Sequence, residues 1–336
     1  MDALRKKYDK QNLFDVISDL PEQFLTSFAS TKISIRKNTA NIVFSGMGGS
    51  AWPADLLQTY LNAEGIALPV RLIVNRDYTL PASVDKSWCG FFSSYSGNTE
   101  ETLSALKQAE KMGMKQIVIM AHGGQLEKIA LKRGYAFVKI PDFKQPRMAY
   151  GYYIGALLKI LVNSNLIKFD AKQLTADVKK IKTNQSEIEA EAQVLALSCN
   201  GQTPLIYSSA LWQDIGRVWK INLNENAKTT AFSNIYPEMM HNEMVGFTNP
   251  IGKYRAIVLR DGAEDKRILK RIEILKKILP KSIPLEIVDL PKGTAGYKMI
   301  YSLWLGLYFS YYLALLYRID PTPVVMVEKF KQLMAE

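Results

Sequence analysis

The chain has 336 residues, of which 48% are hydrophobic, and it carries a formal net charge of +11. This length predicts two domains with substantial cores. The two cysteines, Cys89 and Cys199, lie far apart and only two histidines are present, which argues against a disulfide framework or a zinc site. No nucleic-acid motif is evident, and the positive charge equally fits the attraction of phosphorylated substrates. Unpaired cysteines and an N-terminus without the apolar stretch of a signal peptide predict a cytoplasmic protein.

The predicted elements of the first half alternate between strands and helices. Residues 1–35 are predicted to form a polar N-terminal helical arm, because their apolar side chains recur three and four residues apart. Apolar runs follow at 41–44, 70–74, 90–95, 116–121 and 136–140, with helical patterns at about 53–64, 99–112 and 125–133. This alternation is typical of a parallel sheet covered by helices on both faces. The apolar stretch 148–163 predicts a buried closing helix.

The second half repeats this plan after a charged helical linker at 164–200. Strands are predicted at 204–207, 254–259 and 285–288. Each follows a strand of the first half by roughly 165 residues, and such a constant offset indicates two domains of one fold. We therefore predict an α/β protein with an arm at 1–35, a first domain at 36–165 and a second at 166–336.

Residues 299–317 carry no charge and are long enough to span a bilayer. Tyrosines and serines are spread through the middle of this segment, however, and they suit a protein interface better than hydrocarbon. The sequence therefore predicts a helix buried at a domain or dimer interface, with no membrane span.

Two turns rich in small residues each follow a predicted strand and precede a predicted helix. Their sequences are SGMGGS at 45–50 and SYSGNT at 94–99. Backbone N–H groups and the positive end of a helix dipole converge at such turns, so they bind anions, and a phosphate is the expected ligand. By their position in these turns we assign four side chains to the phosphate: Ser50, Ser94, Ser96 and Thr99. Gly48 and Gly49 are assigned to the substrate pocket. The second half has Asp261 at the corresponding place, which would repel phosphate, so only the first domain should bind it.

These turns resemble those of the sugar isomerase (SIS) domain, a flavodoxin-like fold. Three further segments, NENAK at 224–228, PEMMHNEMVGF at 237–247 and DPTPVVMVEKFK at 320–331, look like the signature of the bifunctional phosphoglucose/phosphomannose isomerases. The resemblance spans nearly the whole chain. It implies two SIS domains that interconvert glucose 6-phosphate, and mannose 6-phosphate, with fructose 6-phosphate through a cis-enediolate. It also implies that no metal or other cofactor takes part.

Moving a proton between C1 and C2 of an open-chain sugar needs one base that can shuttle it. By resemblance this base is Glu225, and its neighbours Asn224 and Asn226 could orient it. Glu238 and Glu243 are the competing carboxylates.

The resemblance assigns three further roles. His241 opens the sugar ring, a task suited to imidazole, and is supplied across the interface of a homodimer. Lys331 contacts ring and hydroxyl oxygens. Arg147 stabilises the enediolate, because a fixed cation there meets developing negative charge.

Two residues differ from what the resemblance to this family leads us to expect. Trp52 is bulky beside the first turn. Val324 lies two helical turns before Lys331, on a face where ordinary phosphoglucose isomerases carry Gln and the bifunctional enzymes a smaller residue. Without the larger side chain the intermediate could rotate about C2–C3 and be reprotonated on its other face, which gives mannose 6-phosphate. Thr322 could also occupy this space.

Two other functions fit the same phosphate pocket. One is a different phosphosugar isomerase built on SIS domains, and the other is a non-catalytic sugar-phosphate-binding protein. Regulators of the second kind usually carry a DNA-binding domain, for which residues 1–35 are too short. His122 follows a predicted strand and could line the pocket, but we interpret it as structural.

Overall fold

A computed structural model describes residues 1–36, 39 and 41–334 of the chain. In chain order its strands are β1 (Asn41–Gly46), β2 (Arg71–Asn75), β3 (Cys89–Ser93), β4 (Gln116–Ala121), β5 (Ala136–Lys139), β6 (Thr203–Ser209), β7 (Phe232–Tyr236), β8 (Tyr254–Arg260) and β9 (Leu285–Asp289). Its helices are α1 (Asp2–Tyr8), α2 (Leu13–Ser18), α3 (Leu20–Ser30), α4 (Trp52–Ala63), α5 (Glu100–Met112), α6 (Gly124–Arg133), α7 (Tyr150–Asn163), α8 (Ala171–Thr183), α9 (Gln185–Cys199), α10 (Gln213–Asn226), α11 (Lys266–Ile278), α12 (Ala295–Leu316) and α13 (Val325–Met334).

The strands form two parallel sheets, which confirms the predicted α/β class. The first sheet has the order β2-β1-β3-β4-β5 and the second the order β7-β6-β8-β9. The first order is that of flavodoxin-like folds, in which ligands bind beyond the carboxyl ends of the two strands where the order reverses. Because β6, β7, β8 and β9 repeat the arrangement of β1 to β4, the structure also confirms the predicted internal repeat.

Burial and composition together determine which strands the sequence predicts. Strand β3 lies inside the first sheet and all five of its residues are buried, and its apolar residues make it recognisable in the sequence. Strand β7 was not predicted. It lies at the edge of the second sheet, as β2 does in the first, and the two strands have the same burial pattern. Strand β2 is predicted because residues 72–74 are all apolar, whereas the polar Ser233 and Asn234 interrupt β7 and weaken its apolar signal.

Contacts divide the described residues into two compact units. One contains Asp19–Lys182 with Thr294–Gly296 and carries the first sheet. The other contains Met1–Ser18, Thr183–Gly293 and the chain from Tyr297 onward, and it carries the second sheet. Helices α1 and α2 therefore group with the second sheet and α3 with the first. The domain boundaries proposed from the sequence, after 35 and after 165, remain a prediction.

Helices α3 and α7 cross closely in the unit of the first sheet. A Cβ on Gly155 would lie 2.2 Å from Ser27 Oγ, so only glycine permits this approach. At the start of α7 the side-chain amide of Gln23 donates to the carbonyl of Met148 at 2.8 Å. These contacts fix the segment that carries Arg147.

Helix α12 is long and apolar enough to cross a membrane, yet 89% of its most apolar stretch is buried within the chain. Two of its polar side chains form bonds inside their own unit: the phenol of Tyr311 donates to Asp9 at 3.0 Å and the indole N–H of Trp304 donates to the Ile17 carbonyl at 2.7 Å. The predicted burial is confirmed. The suggestion of a dimer interface on this helix is wrong, because the chain itself covers the helix.

An ion pair occupies the place after β8 that corresponds to the second phosphate turn. Asp261 is 4% exposed, and its two oxygens accept bonds from Lys298 Nζ at 2.8 and 2.7 Å. The indole N–H of Trp212 and the N–H of Ala263 donate to the same carboxylate. A buried carboxylate needs such partners, and here they all come from the protein. The second sheet thus carries its own anion where the first presents hydroxyl groups.

Candidate functional site

The first predicted phosphate turn closes tightly against neighbouring backbone. A Cβ on Gly46 would lie 2.8 Å from the carbonyl oxygen of Ser93, and one on Gly49 would lie 2.9 Å from the backbone nitrogen of Arg147. Gly48 has a φ of 48°, a conformation that glycine adopts without steric cost. The glycines of this turn are therefore required by close approach and by backbone conformation.

The two predicted turns are joined by a hydrogen bond. The hydroxyl oxygen of Ser50, in the first turn, accepts the backbone N–H of Tyr95, in the second, at 2.9 Å. The phenol of Tyr95 is held as well, because it donates to Asp142 at 3.1 Å and accepts the N–H of Phe143 at 2.8 Å. Burial raises the pKa of this phenol, which therefore stays protonated and able to donate. The structure thus brings both turns to one place.

The second turn places three hydroxyl groups together at the start of α5. The Oγ of Ser94 lies 2.7 Å from Thr99 Oγ1 and 3.3 Å from Ser96 Oγ. Gly97 has a φ of 70°, and its N–H donates to Ser94 Oγ at 3.1 Å. Because α5 begins at Glu100, the free N–H groups of its first turn and its dipole point toward these hydroxyls. This arrangement fits a phosphate group.

Arg147 lies in a short 3₁₀ turn directly before α7 and is fully buried. Its guanidinium donates to the side-chain oxygen of Gln145 at 3.2 Å. Its backbone nitrogen faces Gly49 of the first turn. A cation is therefore built into the same unit as the hydroxyl groups.

Trp52 does not crowd the first turn. It begins α4, is 5% exposed and packs against Tyr150, with the two ring centroids 6.2 Å apart. The large Trp52 side chain is therefore accommodated in the core.

Stacking and hydrogen bonds fix His122 beside the second turn. Its ring stacks on Tyr95 with centroids 5.3 Å apart, and its Nδ1 lies 2.9 Å from the carbonyl oxygen of Ile140. A carbonyl only accepts, so Nδ1 carries a proton. These contacts support the structural interpretation of His122.

Glu225 lies in the last turn of α10, between two asparagines whose side chains bond elsewhere. The side-chain oxygen of Asn224 accepts the N–H of Ala231 at 3.1 Å. The buried side-chain amide of Asn226 donates to Ser310 Oγ at 2.9 Å. These bonds fix the backbone on both sides of Glu225.

Glu225 lines a cleft of about 680 Å³. Two segments line it, the end of α10 with the following loop and the approach to α13: Asn224, Glu225, Lys228, Thr229, Thr230, Ile319, Asp320, Pro323, Val324, Val325, Met326 and Val327. Val324 is thus brought to the same cleft as Glu225. Thr322, the other residue considered at this place, is fully buried, and its N–H donates to Asp320 at 3.0 Å.

His241 and Lys331 are exposed. His241 ends a 3₁₀ turn that begins at Glu238, and Lys331 lies on α13, which has no buried residue. The cleft of Glu225 is lined by neither of them. Their proposed roles stay predictions.

The two competing carboxylates, Glu238 and Glu243, accept hydrogen bonds from neighbouring side chains. Glu243 accepts bonds from the phenol of Tyr207 at 2.6 Å and from the side-chain amide of Asn234. Burial, with Glu243 beside it, raises the pKa of Tyr207. Glu238 is exposed and accepts from the side-chain amide of Asn242 at 2.9 Å. Glu225 is therefore the one of the three that lines the 680 Å³ cleft.

In the part of the chain that the structure describes, no group of three or more His, Cys, Asp or Glu side chains is placed to hold a metal ion. Cys89 and Cys199 are both buried and free, and burial raises the pKa of each thiol to about 12.

Comparison with known proteins gives a consistent result. Residues 188–334 match the family model of the bacterial phospho-glucose isomerase C-terminal SIS domain. A bifunctional phosphoglucose/phosphomannose isomerase of Caldicellulosiruptor bescii is 36% identical over 96% of this chain and 99% of its own. One of the same name from Aquifex aeolicus is 33% identical over 87% and 89%.

One further relative and one solved structure are also similar to this chain. A D-glucosamine-6-phosphate 4-epimerase of Sulfolobus acidocaldarius is 31% identical over 69% of this chain and 72% of its own. The crystal structure of a hypothetical protein of Thermus thermophilus has a TM-score of 0.79 at 16% identity, and covers 99% of this chain and 92% of that one. At this identity the structural match shows the shared fold alone.

Gly97→Ala tests the second turn. A Cβ there would lie 1.7 Å from the Gly123 carbonyl oxygen, a backbone atom, so the turn must open. We expect a loss of about 2–5 kcal/mol in the free energy of unfolding. Inorganic phosphate should raise the Tm of the wild type but not that of this variant.

Gly113→Ala is the matched control. Gly113 also has a positive φ, of 81°, but no atom lies within 4 Å of its added Cβ. This variant should lose only about 1–2 kcal/mol and keep the phosphate-induced increase in Tm. An unchanged response to phosphate in Gly97→Ala would mean that the turn does not bind the anion.

Proposed function

The chain belongs to the bifunctional phosphoglucose/phosphomannose isomerase family, and on that basis we propose that it interconverts glucose 6-phosphate and mannose 6-phosphate with fructose 6-phosphate. The observation that carries the proposal is the cleft that contains Glu225 and Val324, since a carboxylate beside an apolar wall suits proton transfer on a sugar chain. A hexose 6-phosphate is the substrate, and no cofactor takes part.

The phosphate is held by four side chains, Ser50, Ser94, Ser96 and Thr99. Hydroxyl groups and the N-terminus of α5 supply neutral donors and a favourable dipole, which bind a dianion without adding bulk. Gly48 and Gly49 let the backbone of the first turn approach the substrate. Hydrogen bonds to a charged group contribute about 1.5–3 kcal/mol each, so this site holds the substrate by its non-reacting end.

Glu225 takes the proton from C2 of the open-chain aldose. The electron pair of that C–H bond forms the C1=C2 double bond and the carbonyl pair moves to O1, which produces the cis-enediolate. A proton then passes from O2 to O1, and Glu225 returns its proton to C1 as the carbonyl forms at C2. Arg147 stabilises the negative charge of the enediolate by its fixed positive charge. Before these steps His241 opens the ring by proton transfer, and Lys331 contacts the ring and hydroxyl oxygens.

Mannose 6-phosphate differs from glucose 6-phosphate only at C2. Val324 presents a short apolar side chain to the cleft, which leaves room for the intermediate to rotate about C2–C3 and receive the proton on its other face. Turnover of mannose 6-phosphate by the purified wild type checks this interpretation. Glucosamine 6-phosphate belongs in the same substrate panel, because one relative is a glucosamine-6-phosphate 4-epimerase.

We further propose a cytoplasmic homodimer in which His241 acts in the site of the other subunit. His241 is exposed and does not line the cleft of Glu225, which supports this arrangement.

Glu225→Gln removes the carboxylate and keeps its size. We expect kcat on both sugar phosphates to fall at least about 10²-fold, as loss of a general base does, with KM nearly unchanged. Coupled assays of the forward reactions measure both constants. Glu238→Gln, at an exposed carboxylate, is the control and should keep wild-type activity. The opposite pattern, in which Glu238→Gln is inactive, would assign the base elsewhere.

Mixing two inactive variants tests the shared site. If His241 serves its partner, a dimer of one Glu225→Gln and one His241→Ala subunit has one intact site and one with both lesions. At equal, random exchange half of the dimers are mixed, so activity should recover to about one quarter of the wild type. Native mass spectrometry shows whether exchange occurred. An exchanged mixture that stays inactive would place His241 within its own chain or outside catalysis.

A further inference from the structure

Lys228 has a backbone conformation that is unusual for its side chain. It follows α10 two residues after the last helical residue, Asn226, and has a φ of 52°. Glycine is the residue usually found at this point after a helix, because a side chain at positive φ carries a steric cost. A strained residue of this kind persists where the surrounding structure holds it, and it points to a role for the side chain.

The ammonium group of Lys228 is held by three backbone carbonyls. It donates to the carbonyl oxygens of Glu225, of Asn226 at 3.4 Å and of Pro321 at 3.0 Å. The first two belong to the last turn of α10, whose carbonyls lack helical partners and attract a cation. The third lies 93 residues further along the chain. One side chain therefore ties the end of α10 to the segment that leads into α13.

These two segments are the walls of the 680 Å³ cleft. Glu225 belongs to the first wall and Val324 to the second, and Lys228 itself lines the cleft between them. The bond to Pro321 lies three residues before Val324. The ammonium group thus connects the backbone of Glu225 to that of Pro321, and so links the two walls of the cleft.

We propose that Lys228 is a positioning residue that keeps Glu225 and Val324 at a fixed separation across the cleft. It thereby sets both the rate of proton transfer and the ratio of glucose 6-phosphate to mannose 6-phosphate formed. This inference rests on the proposed function. Proton transfer depends steeply on geometry, and a displacement of about 1 Å can cost about 10²-fold in rate. The phosphate turns are formed by other residues, so substrate binding should change little.

The test uses Lys228→Met in the full-length protein, which keeps the aliphatic chain and removes the ammonium group. We expect kcat to fall about ten- to hundredfold with KM within about twofold of the wild type. The initial ratio of mannose 6-phosphate to glucose 6-phosphate formed from fructose 6-phosphate should shift at least about twofold. Lys228→Arg, which can donate to the same carbonyls, should restore most of both properties. Lys270→Met, at an exposed lysine of α11, is the control and should change neither.

Lys228→Gly separates positioning from stability. Glycine fits the backbone conformation without strain, so Tm should stay near or above that of the wild type while kcat falls and the product ratio shifts as in Lys228→Met. If Lys228→Gly folds and keeps the wild-type kcat and ratio, the inference is wrong. A wild-type protein that isomerises neither sugar phosphate would instead overturn the proposed function.

Discussion

The hydrogen bond from the Tyr95 N–H to the Ser50 hydroxyl joins the two turns on which the phosphate site depends. Each turn follows a strand of the first sheet, β1 or β3, at the point where the strand order reverses. The backbone of Tyr95 lies within the hydroxyl-rich turn, so the bond sets the position of Ser94 and Ser96 relative to the first turn. A Cβ added to Gly46, Gly49 or Gly97 would lie within 3.0 Å of a neighbouring backbone atom, so these three positions require glycine.

The same fold is used differently in the second half of the chain. There the place after β8 holds the buried pair of Asp261 and Lys298, and the candidate base Glu225 lies at the end of α10, in a cleft that the approach to α13 also lines. Bonds made by Asn224 and Asn226 fix the backbone of this helix end. A repeated fold thus supplies the proposed phosphate site in one copy and the cleft of Glu225 in the other.

The sequence predicts the features that depend on local composition. Strands β1, β3 and β4 read as apolar runs because they are buried on both faces, and the phosphate turns are marked by glycine and hydroxyl residues. Strand β7 was missed because the polar Ser233 and Asn234 interrupt its apolar residues, whereas β2, an edge strand with the same burial, has an apolar run at 72–74 and was predicted. Contacts between distant segments were not predictable either. Nothing in NENAK shows that Lys228 reaches the carbonyl of Pro321, or that α12 is covered by residues near the N-terminus.

The central claim is that one carboxylate moves a proton through an enediolate, and isotope exchange tests it most directly. Fructose 6-phosphate would be incubated with the protein in D2O containing EDTA, and the products analysed by NMR and mass spectrometry. The account predicts deuterium at C2 of glucose 6-phosphate and of mannose 6-phosphate and at C1 of the recovered fructose 6-phosphate, because a proton held on a carboxylate exchanges with solvent. Products that form over many turnovers without deuterium would contradict it, since the hydrogen would then have moved as a hydride.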